Sequence, residues 1–124
     1  MGGGYRVRFE ARELKKYTEA VQLNELKEGG IYFLVEFLDR AMHVPKLEPV
    51  VYVGKDLSPG DVGQVYFQDA ASYLEGGRFG AEVDPAESEP VFIQTPSSGM
   101  RPVFEYERAL EVLMSCSLRR QGIT

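Results

Sequence analysis

Any chemistry in this chain would have to come from one histidine, His43, one cysteine, Cys116, and a scatter of carboxylates and tyrosines. Nucleophilic catalysis needs a nucleophile, a base in contact with it and usually an orienting group. Cys116 and His43 are the only residues of their kinds. Cys116 falls on the apolar side of a C-terminal helical pattern, where a thiol packs as a small hydrophobe. Asp39 and His43 are four apart, with Glu36 and Glu48 near them in sequence. On a helix the pair could meet one ion, but their neighbours read as a strand end and a loop, so a solvated loop histidine is expected and a metal is not. Glu36, Asp39, Glu48, Asp56, Asp61 and Asp69 could serve as acid and base in principle, yet no spacing singles out two of them. Gly29-Gly30, Gly76-Gly77 and the N-terminal glycine run lack the spacing and the Lys-Ser/Thr ending of a phosphate loop. The sequence therefore predicts no catalytic constellation and no cofactor.

The elements that would position these residues follow from periodicity and punctuation. Tyr5 to Arg12 alternates apolar Tyr5, Val7, Phe9 and Ala11 with charged Arg6, Arg8, Glu10 and Arg12, the pattern of a half-buried strand. Glu13 to Lys27 fits two states. Leu14, Tyr17 and Val21 have helical spacing, which predicts a mostly helical segment, while Tyr17, Glu19, Val21 and Leu23 would suit an extended one. Ile31 to Leu38 is rich in β-branched and aromatic residues and reads as a strand. Pro45 and Pro49 argue against a central strand after it. Val50 to Gly54 and Val65 to Gln68 read as strands joined through Ser58-Pro59-Gly60-Asp61, a type II turn signal that predicts antiparallel pairing. Asp69 to Glu75 reads as a short helix capped by Asp69 and ended at Gly76 or Gly77. Gly80 to Pro90 is an acidic loop, expected to be mobile. Val91 to Gln94 is a short strand and Thr95 to Pro102 a loop. A helix is predicted from about Pro102 to Arg119, burying Tyr106, Ala109, Leu110 and Leu113, with Val112 and Cys116 beside them. Arg119 and Arg120 suit the negative end of its dipole.

Runs of one element type, rather than regular alternation, predict an α+β class. The expected architecture is a strongly bent antiparallel sheet or partial β-barrel with the C-terminal α-helix packed on it; closure of the sheet stays open. The 124 residues suit a single domain, 1–124. A composition 44% hydrophobic and 27% charged allows an ordinary core without metal or disulfide staples. The lone thiol, the lack of a signal-like apolar run at the N-terminus and the absence of any long apolar stretch predict a cytoplasmic, non-membrane protein. Net charge is −5, concentrated over residues 29–100, where four basic residues stand against eleven acidic ones. Such acidity would repel phosphate backbones and anionic lipid, so nucleic acid and membrane are not the expected partners. The basic cluster Arg6, Arg8, Arg12, Lys15 and Lys16, interleaved with Glu10 and Glu13, reads as a solvated face.

The most informative pattern is the second face of the sheet. One face should collect Ile31, Phe33, Val35, Phe37, Val51, Val53, Val65 and Phe67. The other, subject to register, collects Tyr32, Leu34, Val50, Tyr52 and Tyr66, and is too apolar to lie in water. Its cover could be the chain's own C-terminal helix or N-terminal segment, a second copy of the chain, or a small molecule. The leading expectation is a non-enzymatic protein-interaction domain acting as a homo-oligomer, with Tyr32, Leu34, Tyr52, Tyr66 and Tyr73 as interface or pocket candidates. The alternative is a small-ligand-binding protein with a tyrosine-lined pocket around Tyr32, Tyr52, Tyr66 and Tyr73. A metal-dependent enzyme using His43 and nearby carboxylates comes third.

The segments Leu26-Lys-Glu-Gly-Gly-Ile-Tyr-Phe-Leu-Val-Glu-Phe-Leu-Asp39, Val51-Tyr-Val-Gly-Lys-Asp-Leu57 and Tyr66-Phe-Gln-Asp-Ala-Ala-Ser-Tyr73 resemble a family of short bacterial proteins of unknown function. The resemblance covers residues 26–75. It implies a bacterial source and a freestanding domain, and it brings no activity, ligand or catalytic residue with it.

Overall fold

The computed structural model describes residues 6, 8, 10–15, 17–60, 62–76 and 92–122. Its centre is a meander of three antiparallel strands: β1 (Ile31–Phe37), β2 (Pro45–Lys55) and β3 (Gln64–Asp69). A short helix α1 (Ala70–Leu74) follows directly, then β4 (Phe92–Pro96), β5 (Val103–Phe104) and the long helix α2 (Tyr106–Arg120). Among the described residues the sheet has five strands in the order β4-β3-β2-β1-β5, every pairing is antiparallel, and it is not closed. The expected α+β class, with the C-terminal helix packed on an antiparallel sheet, is what the chain adopts. Among the described residues no helix is long and apolar enough to cross a membrane.

The local signals explain most of these elements. Gly60 has φ +84°, as the third position of a type II turn demands. Beside it, Asp56 Oδ1 accepts from the Gly63 N–H at 2.7 Å and the Gln64 N–H at 3.2 Å, which ties the two ends of the β2–β3 connection together. Asp69 caps α1 by accepting from the Ser72 N–H at 3.1 Å, and Gly76 follows with φ +98°.

Several expectations are corrected. Of the strand predicted at Tyr5–Arg12, the described residues Arg6, Arg8, Glu10, Ala11 and Arg12 carry no strand; Tyr5, Val7 and Phe9 lie outside the described residues. Alternation records which side chains could share a face, not whether a neighbouring strand exists to pair with. The mostly helical reading of Glu13–Lys27 also fails. Apart from a 3-10 turn at Leu23–Glu25, its described residues are irregular, and the Val21 N–H donates to the Val103 carbonyl at 2.8 Å. A contact 82 residues away in sequence outweighs a weak helical preference.

Pro45 and Pro49 do lie in a central strand. The Tyr52 N–H faces the β1 side, donating to the Gly30 carbonyl. Strand alternation therefore turns the nitrogens of residues 45 and 49 away from β1, and β3 pairs only with Val50–Lys55. Neither missing N–H costs a ladder bond. The strand expected at Val91–Gln94 is β4; Val91 and the acidic loop Gly80–Pro90 lie outside the described residues. β4 takes in Thr95 and Pro96, so the loop assigned to Thr95–Pro102 starts later. Pro102 does not open the final helix. Val103 and Phe104 pair with Leu34 and Phe33, and α2 begins at Tyr106.

Both sheet faces are covered by the chain itself. One cluster holds Val21, Tyr32, Leu34, Val50, Tyr52, Val65, Phe67 and Val103, with Leu23, Leu26, Ile93 and Met100 packed against it. The other holds Val35, Phe104, Ala109, Val112 and Cys116, with Ala20, Phe33, Phe37 and Leu47. Register decides the membership. Tyr52 pairs with Phe67, so Val65 and Phe67 join the tyrosine face rather than the Phe33 face, and alternation sends Tyr66 to the opposite side.

Candidate functional site

The structure brings three of the five candidates together and separates two. Tyr32, Leu34 and Tyr52 are neighbours in one buried cluster. The Tyr32 hydroxyl accepts from the Lys27 N–H at 2.8 Å, which pins the turn leading into β1. The Tyr52 ring packs on Phe67 with centroids 5.8 Å apart. Tyr66 is buried on the other face, and Tyr73 lies on α1, half-buried, with its hydroxyl close to Gly29. A void bounded by Leu34, Val50, Phe67, Ile93, Thr95, Arg101 and Val103 has no room for a water molecule. Under Leu23, Leu26 and Met100 this face serves as core.

Asp39 and His43 do meet, but through the backbone. The Asp39 carboxylate accepts from the His43 N–H at 3.0 Å and 3.1 Å and from the Val44 N–H at 2.9 Å. These N–H donors, that of Val44 foremost, hold the Asp39 carboxyl below the usual carboxylate range. The carboxylate organises the turn between β1 and β2, where Met42 takes a left-handed conformation with φ +58°. Among the described residues no three His, Cys, Asp or Glu side chains gather as metal ligands. Cys116 is buried on α2, and its Sγ receives the Arg119 guanidinium at 3.3 Å. Arg119 also donates to the Met42 carbonyl at 2.9 Å and lies over the Phe37 ring at 5.7 Å. The end of α2 thus clamps the Asp39 turn.

The surface that sequence reasoning missed is on α2. Its buried residues are Ala109, Val112, Ser115 and Cys116, whereas Tyr106, Leu110 and Leu113, expected in the core, are 61%, 45% and 41% exposed. Successive residues turn by about 100° around a helix. Tyr106, Leu110, Leu113 and Met114 therefore form a second apolar line, roughly a third of a turn from the buried one. The signal was present as two interleaved apolar lines on one helix, 109-112-116 and 106-110-113, and periodicity alone could not say which faces the sheet. The Tyr106 ring meets Phe33 edge-on at 5.2 Å, which leaves the rest of it in solvent.

No protein-family model, curated protein or solved structure matches this chain. The geometry of α2 and its surroundings is what the functional reading has to work from. Arg12 reaches Glu111 at 2.9 Å and Glu107 at 3.3 Å, fastening the N-terminal segment to one flank of the exposed line. These carboxylates, the Glu111 bond first, raise the affinity of the Arg12 guanidinium for its proton. Arg108 meets Glu105 and Glu25 on the other side of the helix. Arg120, exposed at the C-terminal end, makes no ion pair among the described residues.

Proposed function

We propose that this chain is a non-enzymatic protein-interaction module that works as a homo-oligomer through the exposed apolar line of α2. The single observation behind it is the exposure of Tyr106, Leu110, Leu113 and Met114 along one helix face, in a molecule whose sheet is covered on both sides. Contiguous apolar patches of this kind mark association surfaces. The occupant that fits best is a second copy. In an antiparallel pair about a two-fold axis near Leu113, the line meets itself, Leu113 against Leu113 of the copy. The acidic start of one helix, Glu105 and Glu107, then lies beside the basic end of the other, Arg119 and Arg120, and the helix dipoles oppose. Tyr106 comes level with Arg120 of the copy, where an unpaired cation can sit on its ring.

A helix of 15 residues is about 22 Å long. One apolar line of that length buries less than the roughly 800 Å² per partner of a standard interface, so the assembly is a weak, reversible dimer. A cytoplasmic setting and a bacterial source belong to the same reading; the lone buried thiol and the resemblance over residues 26–75 support them. Sedimentation across a concentration series tests the proposal. The full chain is expected to shift from monomer to dimer, and the double variant Leu110→Glu, Leu113→Glu to stay monomeric with an unchanged circular dichroism spectrum. A wild-type chain that remains monomeric at its highest soluble concentration would overturn it.

A further inference from the structure

On the sheet face opposite α2, the Tyr52 side chain opens at one end onto a groove of about 440 Å³, lined by Gln22, Leu23, Asn24, Tyr52 and Lys55. That volume is within the ~300–1,000 Å³ typical of small-molecule sites. Tyr52 is 7% exposed as a residue, with its ring packed on Phe67. Its hydroxyl makes no hydrogen bond among the described residues and reaches the groove, unlike that of Tyr32, which accepts from Lys27 in the same cluster. Lys55 makes no ion pair among the described residues, and the adjacent Asp56 carboxylate is engaged by the Gly63 and Gln64 N–H groups. Among the described residues the Asn24 side-chain amide makes no hydrogen bond.

We infer that this groove binds a small organic monocarboxylate, its oxygens held by the Lys55 ammonium and the Tyr52 hydroxyl and its short apolar chain laid against Leu23. Two features select that class. Among the described residues the groove walls carry hydrogen-bond donors and one cation, and no carboxylate. Leu23 and the Tyr52 ring offer an apolar wall beside them. The apolar wall favours an organic acid over inorganic phosphate, and Glu28 and Asp56 lie close enough to act electrostatically on Tyr52. Burial, and after it those two carboxylates, hold the Tyr52 proton more tightly than usual, so the hydroxyl stays a donor at neutral pH.

The experiment is an amide chemical-shift titration of the full ¹⁵N-labelled chain at constant ionic strength with hexanoate, hexanamide and inorganic phosphate. Saturable shifts of the Leu23, Asn24 and Lys55 amides with hexanoate, absent with hexanamide, are expected. Lys55→Gln should weaken binding on the order of tenfold or more, and Tyr52→Phe by roughly three- to tenfold, as for loss of a charge-assisted and of a single hydrogen bond. Neither change removes a hydrogen bond among the described residues, so both variants should keep the wild-type melting temperature. Failure of hexanoate to saturate, equal shifts with hexanamide, tighter binding of phosphate, or unaltered affinity in both variants would each overturn the inference. Because α2 is on the other face, none of these outcomes depends on whether the chain dimerises.

Discussion

Asp39 shows how a residue chosen for chemistry can turn out to do backbone work. Its carboxylate satisfies the N–H groups of His43 and Val44, and its pKa is lowered from the usual 3.8 for that reason. A carboxyl with a depressed pKa in the folded state contributes stability that is present above pH 3.8 and lost as the pH falls through the lower, folded value. Asp39→Ala should therefore melt earlier than wild type at neutral pH, and the difference should close on acidification; a gap that persists in strong acid would contradict this role. Gly54 carries a different burden. It sits at the irregularity where β2 slips against β3, with φ +140°, and an added Cβ would lie 2.9 Å from Leu57 Cδ2. The end of Leu57 can yield, but the backbone angle cannot be met by an L side chain without strain. Gly54→Ala is expected to cost about 1–3 kcal/mol in chemical denaturation, and a loss below a few tenths would show that the irregularity is not needed.

Elements were legible where their signals are local. The Pro59-Gly60 turn, the Asp69 cap and the β-branched runs of β1 to β3 each depend on residues within a few positions of one another. α2 was legible as a helix and misread in orientation. Its two apolar lines make a direct contrast. Val112 is buried against Val35 and Phe104, so Val112→Ala should cost about 2 kcal/mol. Leu113→Ala should change the stability of the monomer by no more than about 0.5 kcal/mol, as at a surface site, while weakening self-association. Thermal melts at low concentration together with sedimentation check both halves. Equal destabilisation by the two substitutions would mean that the buried line has been misassigned.

At the scale of the molecule, the chain wraps its own sheet. Residues 21–26 lie across one face and along the β5 edge, and α2, with Ala20 beside it, lies across the other. The cover that the second sheet face requires is thus internal, and the case for a partner moves from the sheet to α2. This arrangement makes the segment before β1 part of the cooperative core despite its lack of regular structure. The Val21 amide, bonded to Val103 at 2.8 Å beneath a side chain 4% exposed, should exchange with solvent as slowly as amides of β1. Exchange at the rate of the exposed Glu19 amide would mean that the segment detaches independently.

What the residues alone determined is the content of the fold: an antiparallel α+β domain, strands in the regions of β1, β2 and β3 with the last two paired through a turn, the capped α1 and a C-terminal helix. They also showed that the second sheet face needs a cover. Tertiary structure decided which residues meet. Periodicity could not reveal that Val21 bonds to Val103, that Phe104 pairs with Phe33, that Phe67 rather than Tyr66 lies beside Tyr52, or that Val112 rather than Leu110 faces the sheet. Each of these depends on partners tens of residues apart, where a shift of one position exchanges the two faces of a strand and a rotation of a third of a turn exchanges two apolar lines on a helix. Caps and turns are determined by their immediate neighbours; register and helix orientation follow from which packing buries the most apolar surface, and that is a property of the whole chain.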